Sequence, residues 1–421
     1  MKEKKFMKID FISFSFSKGG AAIAADKFKS LVLKLNCSVD GISQDNAGGY
    51  QFFKRLVSFS LGKLERDKNA IKHSLNLFSY PPVPKSFQEK KSLHHIHWIN
   101  NDTLSIFDFD KIPSGSILTL HDEWLYCGTE HCYQVGDNSD FFAVGYPWFS
   151  RKYSGIPWHA IIWRIKLKKL SRRRDLIITV PSNWILERAK RSLILKELPI
   201  YLLPNPIDVD TFYARRHENN LSLREQCGFK SEDFVFCFGA VGGKNNPLKG
   251  SHLLEKAFEV LISSLSESES NKIKIITFGG SEQGSDKLCG VDVYQMGHIS
   301  SPADLAEVYS SADCVVVPSL VESFGQVAAE ALACETPVIS FACSGLLDIV
   351  VDGKTGLTAE AYDVDQLAER FKLMALLPEI ERSEMGKRGR KHVVKSFSYS
   401  VIAEKYQMII DEAKKLKVLH F

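Results

Sequence analysis

Residues 322–330 have the sequence ESFGQVAAE, are followed by ALACETPVIS, and decide the fold. The apolar segment Cys314–Pro318 precedes them and predicts a buried strand. We expect a helix to begin near Phe324, with Ser323 as its cap and Gly325 allowing a ligand to approach the backbone. A helix N-terminus offers unpaired amides and the positive end of the helix dipole, so this strand–turn–helix predicts a phosphate site.

Two carboxylates, Glu322 and Glu330, lie eight positions apart in this stretch. The spacing places Glu330 about two turns along the predicted helix, where it would reach a sugar hydroxyl of the same ligand. A nucleoside diphosphate with a sugar at each end fits this layout. For either glutamate alone, complementing the helix dipole or facing water is the simpler alternative.

Composition and charge bound the class of protein. The 421 residues, 44% of them hydrophobic, indicate two or three domains with sizeable cores. The net charge of +4 is small for this length and gives no sign of nucleic-acid binding. The nine scattered cysteines are typical of a reducing compartment. Because we find neither a secretory signal nor a long apolar run, we expect a cytoplasmic protein without a membrane span.

Apolar runs alternate with segments of helical period, which predicts parallel α/β sheets. Residues 48–91 give no clear assignment, residues 126–158 indicate a long loop or inserted subregion, and the prolines at 204 and 206 indicate a hinge. The predicted strands are Lys8–Phe14, His95–Ile99, Ile117–Leu120, Leu176–Val180, Phe234–Phe238, Ile273–Phe278, Val291–Gln295, Cys314–Pro318 and Pro337–Phe341. The predicted helices follow Gly20 up to about Leu35 and cover Ala160–Leu170, Ser251–Ser264 and Ser400–Lys415.

The motifs around the two glutamates form a wider pattern: PSxxESFGxxxxEA from Pro318, TPVI from Thr336 and DGxxG from Asp352. This pattern resembles the donor-site signature of retaining glycosyltransferases of family 4. The family's Gly-Gly-x-x-Glu appears here as SGLLD, residues 344–348, which keeps an acidic group one carbon shorter. The resemblance implies the α/β fold called GT-B, in which two Rossmann-like parallel-sheet domains face each other across a cleft.

The family's organisation implies three parts for this chain. Residues 1–205 would form the N-terminal Rossmann-like domain on the acceptor side. Residues 206–396 would form the Rossmann-like domain that binds the nucleotide-sugar donor, and residues 397–421 a C-terminal helix that packs back on the N-terminal domain.

A second phosphate element is predicted in residues 239–250, GAVGGKNNPLKG. Lys249 stands with a glycine at the start of a helix, where its charge would neutralise a departing diphosphate. The family has a similar Lys-Gly pair and, before it, an arginine whose position is held here by Ala240. Lys244 would supply the second cation, and a solvated lysine loop is the alternative.

Two further glycine-containing segments resemble parts of the family's donor site. Gly19 and Gly20 follow the first strand, where the family's backbone approaches the donor phosphates and a side chain would obstruct it. A plain tight turn is the alternative. Gly297, His298 and Ile299 follow the Val291–Gln295 strand and resemble the family's backbone contact to the nucleotide base.

A histidine, His121, ends the predicted strand in LTLHDEW, residues 118–124. The family has a histidine here that contacts the transferred sugar. The wider motif resembles a bacterial subgroup that assembles colanic acid, capsules and O-antigens. The neighbouring His94, His95, His97 and His131 are expected to be polar packing rather than zinc ligands.

No metal is expected at the site, and no other cofactor. Asp-x-Asp, the pair that holds a divalent ion in other transferases, occurs three times, at 108–110, 208–210 and 363–365. Three unrelated copies show how common the pattern is, so we interpret all three as loop and cap residues. Lys249 and helix dipoles would do the neutralising work instead.

The segment from Arg164 to Arg174 contains seven basic residues, and several aromatic residues precede it. Such a segment suits an anionic membrane surface, and it would also suit nucleic acid. A solvated helix is the simpler alternative. The resemblance favours the inner face of the membrane, because the family's acceptors are often lipid-linked sugars.

The sequence therefore predicts a cytoplasmic, peripherally membrane-associated retaining glycosyltransferase, a hexosyltransferase. Its partners would be a nucleotide-sugar donor and a lipid-linked or other glycan acceptor in surface polysaccharide biosynthesis, with no nucleic acid. Glu330 would hold the ribose, Glu322 and the amides of residues 323–325 the donor sugar and β-phosphate, and His121 the sugar or acceptor. A non-hydrolysing nucleotide-sugar epimerase and a catalytically silent binding subunit remain alternatives.

Overall fold

A computed structural model describes residues 7–35, 37–67, 72–132, 140–149, 153–215, 220–239 and 246–419. The chain divides into two compact units. The first unit contains residues 1–206 and 402–421, and the second contains residues 207–401. The first boundary falls at Pro206, within the proline-containing segment for which the sequence indicates a hinge.

The first unit is built on a six-stranded parallel sheet in the order β2-β1-β4-β5-β7-β8. A separate antiparallel pair joins β3 to β6. The strands are β1 Lys8–Ile12, β2 Ser38–Ile42, β3 Glu65–Asp67, β4 Leu93–Ile96, β5 Ile117–Thr119, β6 Tyr153–Gly155, β7 Ile177–Val180 and β8 Ile200–Leu202. The helices are α1 Gly20–Lys34, α2 Gly49–Gly62, α3 Pro82–Ser86, α4 Phe141–Val144, α5 Trp158–Leu170 and α6 Asn183–Arg191.

The second unit has a seven-stranded sheet in the order β11-β12-β10-β9-β13-β14-β15, parallel except for the edge strand β11. Its strands are β9 Phe234–Gly239, β10 Ile273–Phe278, β11 Gln283–Leu288, β12 Val291–Met296, β13 Cys314–Val317, β14 Val338–Phe341 and β15 Gly356–Ala359. Its helices are α7 Asn220–Gln226, α8 Ser251–Ser263, α9 Glu267–Ser270, α10 Pro302–Ser311, α11 Gln326–Ala333, α12 Val364–Leu376 and α13 Glu379–Phe397.

The last helix, α14 (Tyr399–Leu419), contributes its residues from 402 onward to the first unit. The hydroxyl of Tyr406 lies 2.6 Å from Nδ1 of buried His95 in β4. Gly115 lets the helix approach closely, because a Cβ there would lie 2.4 Å from the carbonyl oxygen of Ala413. The sequence predicts α14 over Ser400–Lys415, and the helix extends slightly further at both ends.

Apolar runs explain why these segments are strands. β13 and β14 are buried at every position, as expected for strands covered on both faces. Each predicted strand is present, with ends that differ by at most three residues. The segments left unassigned or taken as loop contain regular elements as well, of which α2 is the longest.

Candidate active site

Three chain segments meet at Glu322, which lies in the loop after β13. Oε1 of Glu322 lies 2.5 Å from Nζ of Lys249 and accepts a hydrogen bond of 2.8 Å from the hydroxyl of Ser319. The backbone amide of Glu322 donates to the hydroxyl of Ser344, at 2.9 Å. Glu322 and Lys249 are half-buried, so a ligand would meet a fixed, partly desolvated ion pair at the carboxyl end of the strand.

Glu330 is buried about one turn into α11, where two neighbours hold its carboxylate. The side-chain amide of Gln326 donates to one oxygen at 2.7 Å, and the hydroxyl of Tyr309 donates to the other at 3.4 Å. A buried carboxylate needs such donors, so its orientation is set before any ligand arrives.

Helix α11 begins at Gln326, and Gly325 is its N-terminal cap in the left-handed region, with φ of +106°. The first bond of the helix runs from the amide of Ala329 to the carbonyl of Gly325, so the amides before Ala329 precede the helical ladder. The predicted cap, Ser323, is wrong. Phe324, between the predicted and the observed cap, is buried against Phe397.

Lys249 ends a single turn of 3₁₀-helix, Pro247–Lys249, which Asn246 caps through its side chain. The next residue, Gly250, has φ of +71° and lies so close to Pro318 that a Cβ would stand 1.9 Å from its carbonyl oxygen. Glycine is therefore required for Lys249 to sit beside the loop after β13. Lys244, the predicted second cation, lies outside the described residues.

The predicted contact to the base lies at the end of β12. Gly297 has φ of +69° and accepts a backbone hydrogen bond from Gly279, at 2.8 Å. Gly279 and Gly297 both line a cavity of about 470 Å³, which residues of α8 and β11 line as well. His298 is exposed and Ile299 half-buried, so both are accessible to a ligand.

In the first unit, His121 follows β5 and its Nε2 lies 2.9 Å from Nδ1 of buried His97. Nε2 of His97 has no partner among the described residues. Burial lowers the pKa of His121 to about 4, although Asp122 acts in the opposite sense. At neutral pH His121 is therefore an uncharged hydrogen-bonding group rather than a cation.

Gly19 caps the N-terminus of α1 with φ of +91°, and Gly20 is the helix's first residue. Both are exposed, and a Cβ at either position would meet nothing within 4 Å. The loop before them is fixed by Asp45, which accepts from the hydroxyl of Ser15 at 2.5 Å and from the amide of Phe16 at 3.0 Å. The glycine turn is thus exposed, the loop before it is held by hydrogen bonds to Asp45, and the space beside it would admit a ligand.

Sequence reasoning missed Ser319, Ser344, Gln326, Tyr309 and Asp45 as supports of the site. Gln326 and Ser319 carried a local signal, because they stand four residues before Glu330 and three residues before Glu322. Ser344, Tyr309 and Asp45 come from separate chain segments, which a pattern in one segment cannot reveal.

The structure also places the residues considered for metals. Within the described ranges, no three histidine, cysteine, aspartate or glutamate side chains form a group that would hold a metal ion. Asp363 caps α12, and Asp208 accepts from the amides of residues 210 and 211. Asp108 and Asp110 lie in a 3₁₀-helix and pair with Lys111 and Lys169. That activity needs no metal stays a prediction.

The basic segment from Arg164 is less exposed than the sequence suggests. Lys166 is fully buried and donates to the carbonyls of Trp124 and Gly128. Arg173 pairs with Asp175, and Lys169 pairs with Asp110 at 2.8 Å. The exposed cations of the segment are Lys168, Arg172 and Arg174. None of the helices in the described residues is both long enough and apolar enough to cross a membrane.

Comparison with known sequences matches residues 223–392 to the family described as Glycosyl transferases group 1. A D-inositol 3-phosphate glycosyltransferase of Kribbella flavida is 32% identical over 211 residues, covering 48% of each chain. A capsular polysaccharide biosynthesis glycosyltransferase, CapM of Staphylococcus aureus, is 31% identical over 167 residues, covering 38% of this chain and 42% of CapM. The chain thus spans about half the length of the curated relatives it matches, or less.

Solved structures match over nearly the whole chain. Sucrose-phosphate synthase of Thermosynechococcus elongatus has a TM-score of 0.67 at 18% identity, covering 96% of this chain and 98% of its own. HepE of Anabaena, in complex with UDP and glucose, has a TM-score of 0.60 at 16% identity, and the match covers 96% of this chain and 99% of HepE. WaaG, a glycosyltransferase of lipopolysaccharide biosynthesis, has a TM-score of 0.61 at 15% identity, and the match covers 95% of this chain and 99% of WaaG.

The likeness to these structures shows the fold, which is GT-B. The sequence match includes β9, the Lys249 turn, the Glu322 loop and α11. Residues 223–392 of this chain are therefore similar to the group 1 glycosyl transferase domain.

Proposed function

We propose that this protein is a retaining glycosyltransferase that moves a sugar from a nucleoside diphosphate to a glycan acceptor. The observation that carries the proposal is the Lys249–Glu322 pair beside the N-terminus of α11, inside the group 1 glycosyl transferase domain. The structurally similar HepE is described in complex with UDP and glucose, which supports a nucleotide-sugar donor.

The chemistry of the site assigns the roles. Lys249 would meet the diphosphate and stabilise its negative charge as the bond to the sugar breaks. The amides before Ala329, at the positive end of α11, would hold the β-phosphate. Glu322 would accept from the donor sugar's hydroxyls and Glu330 from the ribose hydroxyls, because each carboxylate already has a fixed orientation.

His121 would orient the sugar or the acceptor as a neutral hydrogen-bonding group. Retention would proceed by attack on the face from which the diphosphate leaves, as in the family the sequence resembles. We propose that the protein needs no metal, since Lys249 and the helix dipole supply positive charge at the diphosphate.

The proposed acceptor is a lipid-linked glycan of a surface polysaccharide, and the proposed location is the cytoplasmic face of an anionic inner membrane. CapM and WaaG, which are named for capsular polysaccharide and lipopolysaccharide biosynthesis, support this class of acceptor. Three exposed cations, Lys168, Arg172 and Arg174, would contribute to membrane attraction.

Nucleotide-sugar turnover tests the proposal. Thermal-shift screening of the purified chain would first identify the donor that binds, and the released nucleoside diphosphate would then be measured with and without acceptor. We expect acceptor-dependent release and a product with the donor's anomeric configuration. An epimerised donor without acceptor would support the epimerase, and binding without release would support the silent subunit. An inverted product would contradict retention.

A further inference from the structure

Helix α2 has its polarity reversed relative to an ordinary surface helix. Its fully buried side chains are polar: Gln51 donates to the carbonyl of Asp102 at 2.8 Å, and Ser58 donates to the carboxylate of Asp102 at 2.8 Å. On the same face, Lys54 donates to the carbonyl of Ser79 at 3.5 Å. These hydrogen bonds, together with Leu61, which packs against the core of the first unit, therefore fix α2 to that unit.

The opposite face of α2 is apolar and faces solvent. Phe52 and Phe53 are each 59% exposed, Leu56 is 48% exposed and Phe59 is 60% exposed. These positions recur at intervals of three and four residues, so they form one continuous stripe. Scattered exposed apolar side chains are normal, but a stripe with three phenylalanines indicates a binding surface.

The stripe continues beyond the helix. Leu64, 49% exposed, follows the end of α2, and its carbonyl accepts a hydrogen bond of 3.0 Å from the amide of Ile156, which is 37% exposed. The indole of Trp158 donates to the carbonyl of Leu61 at 2.8 Å and ties the start of α5 to the end of α2. The apolar surface thus extends over two chain segments that are held together.

The charged residues of α2 and of the two residues after it have one sign. Between residues 46 and 64 the charged residues are Lys54, Arg55 and Lys63, with no aspartate or glutamate among them. The guanidinium of Arg55 lies 5.6 Å from the ring of Phe52, and the ammonium of Lys63 lies 4.5 Å from the ring of Phe59. Cations beside exposed rings suit an anionic bilayer, where the rings enter the acyl boundary while the cations meet lipid phosphates.

We propose that α2, together with Leu64 and Ile156, docks on the surface of an anionic lipid bilayer. The inference rests on the membrane association proposed above, and it moves the main contact from the basic segment of α5 to the apolar stripe of α2. Phe52, Phe53 and Phe59 enter the bilayer, and Arg55 and Lys63 meet the headgroups.

Co-sedimentation with vesicles tests the docking surface. The full chain would be mixed with phosphatidylcholine vesicles that contain or lack phosphatidylglycerol, at low and high salt. We expect binding to the anionic vesicles, part of which survives high salt because apolar burial is insensitive to screening. The variant Phe52→Ser/Phe53→Ser/Phe59→Ser should bind roughly tenfold or more weakly and should lose the salt-resistant part.

Two controls isolate the stripe. Leu33→Ser removes an exposed apolar side chain of α1 and should leave vesicle binding unchanged. Lys168→Ala/Arg172→Ala/Arg174→Ala should weaken binding at low salt only. Thermal shift with the donor nucleotide sugar should be the same in every variant, which keeps a failure of donor binding distinct from a failure of membrane docking.

Three results would overturn the inference. The first is that the phenylalanine variant binds anionic vesicles as tightly as wild type does. The second is that wild type does not bind anionic vesicles, whether or not it transfers sugar. Sedimentation velocity could instead show a dimer that the phenylalanine changes dissociate, which would make the stripe an interface between two copies of this chain.

Discussion

At the scale of single residues, the two glutamates differ in how the protein holds them. Glu330 is buried and bound by Gln326 and Tyr309, whereas Glu322 is half-buried and paired with a cation. A buried carboxylate with fixed donors suits the non-reacting end of a ligand. A carboxylate beside a lysine suits the place where charge develops.

Glu330→Ala should therefore weaken donor binding by about 1.5–3 kcal/mol, through loss of charge-assisted hydrogen bonds to ribose. Isothermal titration with the donor would measure the change, and Glu330→Gln, which keeps the shape, should fall between wild type and alanine. Unchanged affinity in a folded Glu330→Ala protein would remove the ribose contact from the proposed site.

Glu322→Gln should lower kcat more than it lowers donor affinity, because it alters the reacting end of the donor and releases Lys249 from its ion pair. Steady-state kinetics would separate the two effects. A rise in the donor's dissociation constant with unchanged kcat would contradict the assignment to the transferred sugar.

Lys249→Ala should reduce kcat strongly, and a chelator should leave wild-type activity largely intact. The reason is that the ammonium group just before α8 would, in the proposed mechanism, supply the charge that a metal supplies in other transferases. Lys249→Arg keeps the charge and is the matched control. Activity that EDTA abolishes and manganese restores would contradict this prediction.

At the scale of elements, the buried apolar strands could be predicted, and β13 and β14 show this most plainly. The largely exposed strands β2 and β11 carry polar residues and were not predicted. Helix α2 could not be predicted, because its buried face carries Gln51 and Ser58 while its phenylalanines face solvent. The pattern that normally locates a buried face therefore indicates the wrong side. The Lys249–Glu322 pair joins segments 73 residues apart, so only its separate parts were predictable.

Helix α5 shows the same limit of pattern reading, because Lys166 lies in a run of basic residues but is fully buried. Burial lowers its pKa to about 7, against the opposing influence of Cys127 and Glu130. The amino group of Lys166 nevertheless donates hydrogen bonds to the backbone carbonyls of Trp124 and Gly128. Both residues follow His121 closely in the chain.

Lys166→Met should consequently destabilise the protein by about 1–3 kcal/mol, since two buried carbonyls lose their donor. Urea denaturation would measure this, and vesicle binding should not change. The control is Lys168→Ala, two residues along the same helix, which removes an exposed cation and should leave stability within about 0.5 kcal/mol of wild type. Equal stability of Lys166→Met and wild type would contradict a structural role.

At the scale of the whole molecule, the two-sheet α/β architecture follows from the alternation of elements, and within each unit the candidate residues lie near the ends of its parallel strands. The first unit adds a buried column of histidines beneath its site. His95 bonds to Tyr406 of α14 and to Thr119, and His97 bonds to His121. This column links the last helix to the loop that carries the candidate sugar-binding histidine.

The column makes the stability of the molecule depend on pH. Burial lowers the pKa of His121 to about 4, and burial holds those of His95 and His97 well below their usual value. Above pH 6.5 these histidines are neutral in both folded and unfolded chains, so stability is at its full value. As pH falls below 6.5, the unfolded chain binds protons that the folded chain does not, so stability declines by about 1.4 kcal/mol per pH unit for each histidine.

Scanning calorimetry between pH 7 and about pH 5, above the range in which most carboxylates titrate, should show this decline as a falling Tm. His121→Asn should reduce the slope, because one proton-binding difference is removed. His298→Asn changes an exposed histidine and should leave the slope as in wild type. A Tm that stays constant across this range in wild type would mean that the column takes up protons without unfolding. His121 would then take up its proton as the pH falls toward 5, contrary to the lowered pKa that its burial implies.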